Sequence, residues 1–167
     1  MKRIILATWL AGVTVLLPGL RSADPKPDFT GTWDLDATRS DSAQSGAGNG
    51  LVTEVIKQTS GEFSLETRKG GQTETLVYKL DGTETTKPPE DNGPYRWQAQ
   101  WDGTALTTVT QRNINRTTIT VKETRSLDPQ GKEMIVNRML TVQHGYQMQG
   151  AKNYSSGKDV FVKAFKP

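Results

Sequence analysis

The chain has 167 residues, a length that suits one domain with a core of its own. It has no cysteine, which excludes disulfide staples and a lipid-modified cysteine anchor, and its single histidine argues against a zinc, copper or iron site. Lys2, Arg3 and Arg21 account for the whole excess of 21 Lys and Arg over 18 Asp and Glu, so the rest of the chain is neutral, which argues against capture of nucleic acid or an anionic membrane by charge.

Residues 1–23 read as a secretory signal. Lys2 and Arg3 form its positive end, residues 4–17 its apolar stretch, and Pro18-Gly19 break it. The stretch is shorter than the roughly 20 residues of a membrane span. Ala23 suits the last position before a cut, with Ser22 and Gly19 as alternatives and an uncleaved anchor as the rival reading. The expectation is an exported protein, secreted or periplasmic. Its mature part, 24–167, forms one domain and keeps no stable membrane anchor after cleavage.

The mature chain opens on Phe29-Thr30-Gly31-Thr32-Trp33-Asp34-Leu35-Asp36. Phe29, Gly31, Trp33 and Leu35 share one parity, and the polar residues share the other, which is the pattern of a strand with one buried face. The glycine two places before the tryptophan lets another group approach the strand closely. Residues 37–50 are small, polar and glycine-rich and read as a loop, either a floppy connection or a lid. Strands follow at 51–59, 62–68, 72–80 and 83–87, separated by Ser60-Gly61, Lys69-Gly70-Gly71 and Asp81-Gly82. Beyond Pro88-Pro89 and the loop to Pro94, Tyr95, Trp97, Ala99 and Trp101 alternate with polar residues. Both Trp97 and Trp101 are therefore expected to point inward. Further strands are expected at 105–112, 117–127, 133–143 and 159–165, with a short strand at 146–149 in an otherwise ambiguous stretch.

No segment beyond the leader has helical period. The reading is all-β: a single antiparallel up-and-down barrel of about eight to ten strands, because a long meander avoids bare edges most simply by closing on itself. A two-sheet sandwich is the alternative. The glycine-rich run 46–50 lacks the spacing of a dinucleotide fingerprint, and Asp34, Asp36 and Asp41 lack the glycine and glutamate of a calcium loop. There is no serine-nucleophile elbow. His144 reads as a solvated turn residue. The sequons at Asn115 and Asn153 matter only in a eukaryotic source. No cofactor is expected.

Charges on otherwise apolar faces carry more information. Glu123 and Arg125 share a parity with Ile119, Val121 and Leu127, and Arg138 shares one with Met134, Val136, Leu140 and Val142. Inward charges are costly unless they pair with each other or meet a ligand. Both readings remain open, as does a shift of parity at a bulge.

Phe29-Thr30-Gly31-Thr32-Trp33 resembles the opening strand of calycins, the group that holds the lipocalins and fatty-acid-binding proteins. The run from Gly31 to Asp41 is similar to the start of exported bacterial lipocalin-like proteins. Trp101-Asp102-Gly103-Thr104-Ala105-Leu106 and Ser126-Leu127-Asp128-Pro129-Gln130-Gly131-Lys132 resemble hairpins of the same group. The resemblance implies that Trp33 packs at the closed barrel end beneath a basic residue of the final strand, by position Lys163. Fatty-acid-binding proteins cover the barrel mouth with two helices, which the 37–50 loop does not form, so fatty-acid binding as such is not implied.

The expected role is binding of a small, partly apolar and possibly acidic molecule inside the barrel. Phe63, Leu76, Tyr78, Trp97, Trp101, Ile119, Val121, Val136 and Leu140 would line the site, with Arg138 and Glu123 as polar contacts. The alternatives are a packed structural or interaction barrel, and a barrel enzyme using an inward carboxylate. No catalytic motif supports the enzyme.

Overall fold

The computed structural model describes residues 25–42, 50–88, 95–145 and 152–164. The expected leader and the short strand expected at 146–149 lie outside the described residues, as do residues 43–49 of the polar loop and the segment 89–94. Ten strands form one sheet: β1 (Gly31–Leu35), β2 (Val52–Gln58), β3 (Glu62–Lys69), β4 (Gln72–Lys79), β5 (Thr85–Lys87), β6 (Tyr95–Asp102), β7 (Ala105–Ile114), β8 (Thr117–Leu127), β9 (Glu133–His144) and β10 (Lys152–Lys163). Their order is β4-β3-β2-β1-β10-β9-β8-β7-β6-β5, all pairs antiparallel. Because the first and last strands pair with each other, the meander wraps into a nearly closed barrel rather than two stacked sheets.

The seam lies between β4 and β6, which face each other without a ladder. Side chains bridge it instead. The Trp97 indole N–H donates to the Val77 carbonyl at 2.8 Å, and the Arg112 guanidinium joins Glu74 to the Tyr95 hydroxyl. Arg112 also lies 4.0 Å from the Tyr95 ring centroid.

Most strands fall within two residues of their sequence-based bounds, since alternation and turn residues set them locally. β10 differs: it begins seven residues earlier than residue 159. The polar, small run Tyr154-Ser155-Ser156-Gly157 has no apolar period of its own. It becomes a strand because β9 offers a ladder from Glu133 to Gln143. His144, expected in a turn, instead ends β9 opposite Thr117, with its Nδ1 3.2 Å from the Thr117 hydroxyl.

At the closed end Trp33 is fully buried and donates its indole N–H to the Phe29 carbonyl at 2.8 Å. Lys163 pairs with Trp33 in the ladder, and its ammonium lies 5.1 Å over the ring. Gly31 (φ 155°) makes room for it: a Cβ there would stand 2.9 Å from the Lys163 Cε. Phe29 packs edge-on to Phe63 and stacks on Trp101, and Phe63 meets Tyr78. With Ile56, Leu106, Met134 and Phe161, these rings fill this half of the barrel. Each such side chain contributes about 1.5–3 kcal/mol by its burial.

After β1 the chain runs on beside β10. The Asp36 amide donates to Val160 O, the Val160 amide to the Ser40 hydroxyl, and the Asp41 amide to Lys158 O. This brings Ser42 over Gly157, where a Cβ would lie 2.5 Å from the Ser42 Cα. A side chain at 157 would push this segment away.

Candidate functional site

The ladders arrange the inward side chains in rungs that cross from β6 to β10. One rung is Trp101, Leu106, Arg125, Val136 and Asp159; the next is Ala99, Thr108, Glu123, Arg138 and Gly157; the one beyond is Trp97, Thr110, Val121, Leu140 and Ser155. A fourth holds Tyr95, Arg112, Ile119, Val142 and Asn153. Burial changes abruptly along this series. Leu106, Val136, Ala99 and Thr108 are 0–1% exposed, whereas Thr110, Val121, Leu140, Ile119 and Val142, on the same inner face, are only half-buried. One half of the barrel is packed. The inner wall of the other half keeps accessible surface, to which Ile119, Val121, Leu140 and Val142 contribute apolar side chains.

Ionised side chains mark the boundary. Arg125, fully buried, donates through Nη2 to Glu123 at 2.6 Å and to Glu54 at 3.3 Å, and through Nη1 to the Thr108 hydroxyl at 2.9 Å. Arg138 pairs with Glu123 and, through Nε at 3.3 Å, with Asp159. The Ser42 hydroxyl donates to the same Asp159 oxygen at 2.7 Å. The result is a belt in the order Glu54, Arg125, Glu123, Arg138, Asp159. Four of its buried atoms have no hydrogen-bond partner among the described residues: Glu54 Oε2, Arg125 Nε, Arg138 Nη2 and Asp159 Oδ1.

Two of the carboxyl groups are shifted in opposite directions. Burial raises the Glu54 carboxyl above its ordinary value, and Arg125 offsets this only in part. Burial also works against ionised Glu123, but Arg125 and Arg138 outweigh it and hold that carboxyl below its ordinary value. Burial pushes the Tyr78 phenol up.

The expected site residues therefore divide. Phe63, Tyr78 and Val136 are 0–1% exposed and belong to the packed half. Leu76, Trp97 and Trp101 pack against that core, Trp101 at the closed end with the Lys26 ammonium 5.0 Å from its ring and Trp97 from the first rung beyond the belt. Trp97, Ile119, Val121 and Leu140 lie on the accessible wall, with Glu123 and Arg138 at its base. The inward charges pair with each other. Glu54 and Asp159 complete the belt and were not singled out from sequence. Glu54 shares its parity with Val52 and Ile56, which was the available signal, but Val55 on the other face blurs it. Asp159 stands beside Val160-Phe161-Val162, a run that is apolar on both faces.

Among the described residues no group of His, Cys, Asp or Glu could hold a metal ion, and no helix is long and apolar enough to cross a membrane. Asp34, Asp36 and Asp41 are spent on Thr53, on Thr38 with Arg39, and on the Lys158 amide.

This arrangement, a nearly closed antiparallel barrel, is a fold that fatty acid-binding proteins share. Among solved structures the chain is similar to a REP1-NXSQ fatty acid transporter, at 14% identity and a TM-score of 0.53 over 83% of this chain and 98% of that one. It is similar to apo lipid binding protein 8 of Caenorhabditis elegans, at 13% identity and 0.52 over 81% and 95%. It also resembles the fatty acid-binding protein in brain tissue of Drosophila melanogaster, at 18% and 0.50 over 82% and 100%. At these identities the likeness is one of fold. No protein-family model and no curated protein matches the chain.

Proposed function

We propose that the protein binds a small, partly apolar molecule in the half of the barrel beyond the charged belt. The step in burial between the Glu123–Arg138 rung and the Val121–Leu140 rung carries this reading: inward apolar side chains stay accessible where a packed barrel would cover them. The fatty acid and lipid binding of the structural neighbours supports the same reading. Trp97, Ile119, Val121, Leu140 and Val142 form the apolar wall, and Glu123 and Arg138 form the polar floor. Phe63, Tyr78 and Val136 support that floor from beneath. No catalytic role is assigned to the belt, since its carboxyl groups are enclosed and its guanidiniums are paired.

The leader at 1–23 and the resemblance to exported bacterial lipocalin-like proteins support an activity outside the cytoplasm. Protein recovered from its native compartment should start close to Asp24, and an intact Met1 would refute the export.

Binding is tested with a panel of ten-carbon amphiphiles. A ligand at 100 times its Kd adds about 2.7 kcal/mol of stability, or about 5–10 °C in melting temperature for a domain of this size. Trp97 stands in the accessible rung, so Trp97→Phe should remove most of the emission change while the melting shift persists. If no ligand moves emission or melting, the packed-barrel reading replaces this one.

A further inference from the structure

We propose that the polar floor of this cavity accepts a cationic head group, an alkylammonium on an apolar body, and discriminates against the matching carboxylate. The proposal rests on the binding reading above and adds to it the class of ligand.

The order of the belt supplies the argument. Glu54, Arg125, Glu123, Arg138 and Asp159 alternate acid and base, and both ends are acids. Three carboxyl groups face two guanidiniums, so the buried cluster carries one carboxyl in excess. Each guanidinium is already committed on two sides: Arg125 to Glu54 and Glu123, Arg138 to Glu123 and Asp159. The unpartnered acceptors, Glu54 Oε2 and Asp159 Oδ1, sit one at each end of the chain of charges.

An arriving carboxylate would find no uncommitted cation in the belt. It would add a further negative charge to a water-poor interior, where an uncompensated charge is costly. An alkylammonium brings the cluster to balance, three acids against three cations, and an ammonium donates three hydrogen bonds while accepting none. The remaining unpartnered donors, Arg125 Nε and Arg138 Nη2, need only a neutral acceptor, and one does not alter the charge. Glu123 and Arg138 keep 11% and 13% of their side-chain surface and are the members of the belt that the head group meets first.

On the strands from β7 to β10 the wall above the belt adds no positive charge other than Arg112, and on β3 Lys69 stands one rung beyond Glu54. Thr110, Val121, Leu140, Ile119, Val142, Ser155 and Asn153 are all uncharged. Arg112 is engaged with Glu74 and Tyr95 at the seam.

A proton is linked to this binding. Glu54 is faced by Arg125 and Glu123 from β8, Arg138 from β9 and the Tyr78 phenol from β4. Burial raises the Glu54 carboxyl above its ordinary value, so in the free protein it takes up a proton more readily and this offsets the excess charge. An incoming ammonium takes over that compensation, so Glu54 releases its proton. Affinity for the amine should therefore rise with pH while affinity for a neutral ligand stays flat.

The experiment compares decylamine, decanol and decanoic acid on the full-length mature chain, at concentrations below micelle formation, by melting shift and Trp97 emission. The expected order is amine, alcohol, acid, with the amine about tenfold tighter than the alcohol at pH 7.5, a ratio set by one compensated charge. In Glu54→Gln, and separately in Asp159→Asn, the ratio of amine to alcohol affinity should fall to about one, because the excess carboxyl is gone. The wild-type ratio should grow from pH 5 to pH 8, a readout that does not depend on either variant folding. Equal or tighter binding of the acid overturns the proposal. So does an amine preference that survives in both variants, or a pH-independent ratio. If the alcohol binds and the amine gains nothing over it, the cavity stands and only its cationic selectivity fails. If none of the three binds, the cavity reading itself fails.

Discussion

Replacing Arg125 with methionine tests whether the belt is a single electrostatic unit. Met retains much of the apolar stem and leaves the guanidinium's partners behind: Glu123 at 2.6 Å, Glu54 at 3.3 Å and the Thr108 hydroxyl at 2.9 Å. Arg125 has 0% exposure and the carboxyls facing it 1% and 8%, so water does not replace what is lost. Removing one partner of such a buried pair costs about 3–5 kcal/mol, a large fraction of the roughly 5–15 kcal/mol that holds a domain folded.

The loss should depend on pH, and its sign follows from the carboxyls. In the native protein Arg125 and Arg138 keep Glu123 below its ordinary value of 4.5. Without Arg125 burial dominates and raises it, so the folded variant holds a proton that the unfolded chain gives up. The variant's stability is then greatest below the ordinary carboxyl value and declines as the pH rises above it. Urea unfolding followed by circular dichroism at pH 5 and pH 8 measures this directly, with the larger loss expected at pH 8. Adding Glu123→Gln to Arg125→Met should recover part of the stability, since it removes the stranded charge. A loss under about 1 kcal/mol, or one equal at both pH values, would refute the account of a dry, coupled belt.

Two further substitutions probe its neighbours. Glu54→Gln removes the carboxyl that burial holds above 4.5. The stability that this proton contributes is complete below 4.5 and lost as pH rises, so wild type should fall relative to Glu54→Gln between pH 5 and 8, by about 1.4 kcal/mol for each pH unit that separates the folded from the unfolded titration. Parallel stability curves would show that Glu54 ionises freely. Gly157→Val places a Cβ 2.5 Å from the Ser42 Cα and should cost about 1–3 kcal/mol. It should also speed hydrogen exchange at the Asp41 and Val160 amides, which bond across that contact, and unchanged exchange there would mean that the segment is not seated on β10.

Much of the barrel is written in its local sequence. Alternation along Tyr95-Arg96-Trp97-Gln98-Ala99-Gln100-Trp101 sets which side chains of β6 point inward, and the same parity places Glu123, Arg125 and Arg138 inside before any neighbour is known. Turn residues at Asp81-Gly82 and Asp102-Gly103 divide the meander, and Gly31 two places before Trp33 marks a close approach to β1. A strand fixes its own two faces by the pleat, which needs no information from elsewhere. What it does not contain is its register against strands distant in the chain. Glu54 lies 71 residues from Arg125, and Ser42 lies 117 from Asp159. The pairings of β1 with both β2 and β10 complete the wrap that brings them to one belt. The polar run at Tyr154–Gly157 became strand for the same reason, through the ladder that β9 supplies. The division into a packed half and an accessible half is likewise a property of whole rungs. Val136 and Leu140 share an inward parity on one strand, yet one is sealed and the other is not. The difference lies in the side chains that the facing strands bring to each level of the barrel.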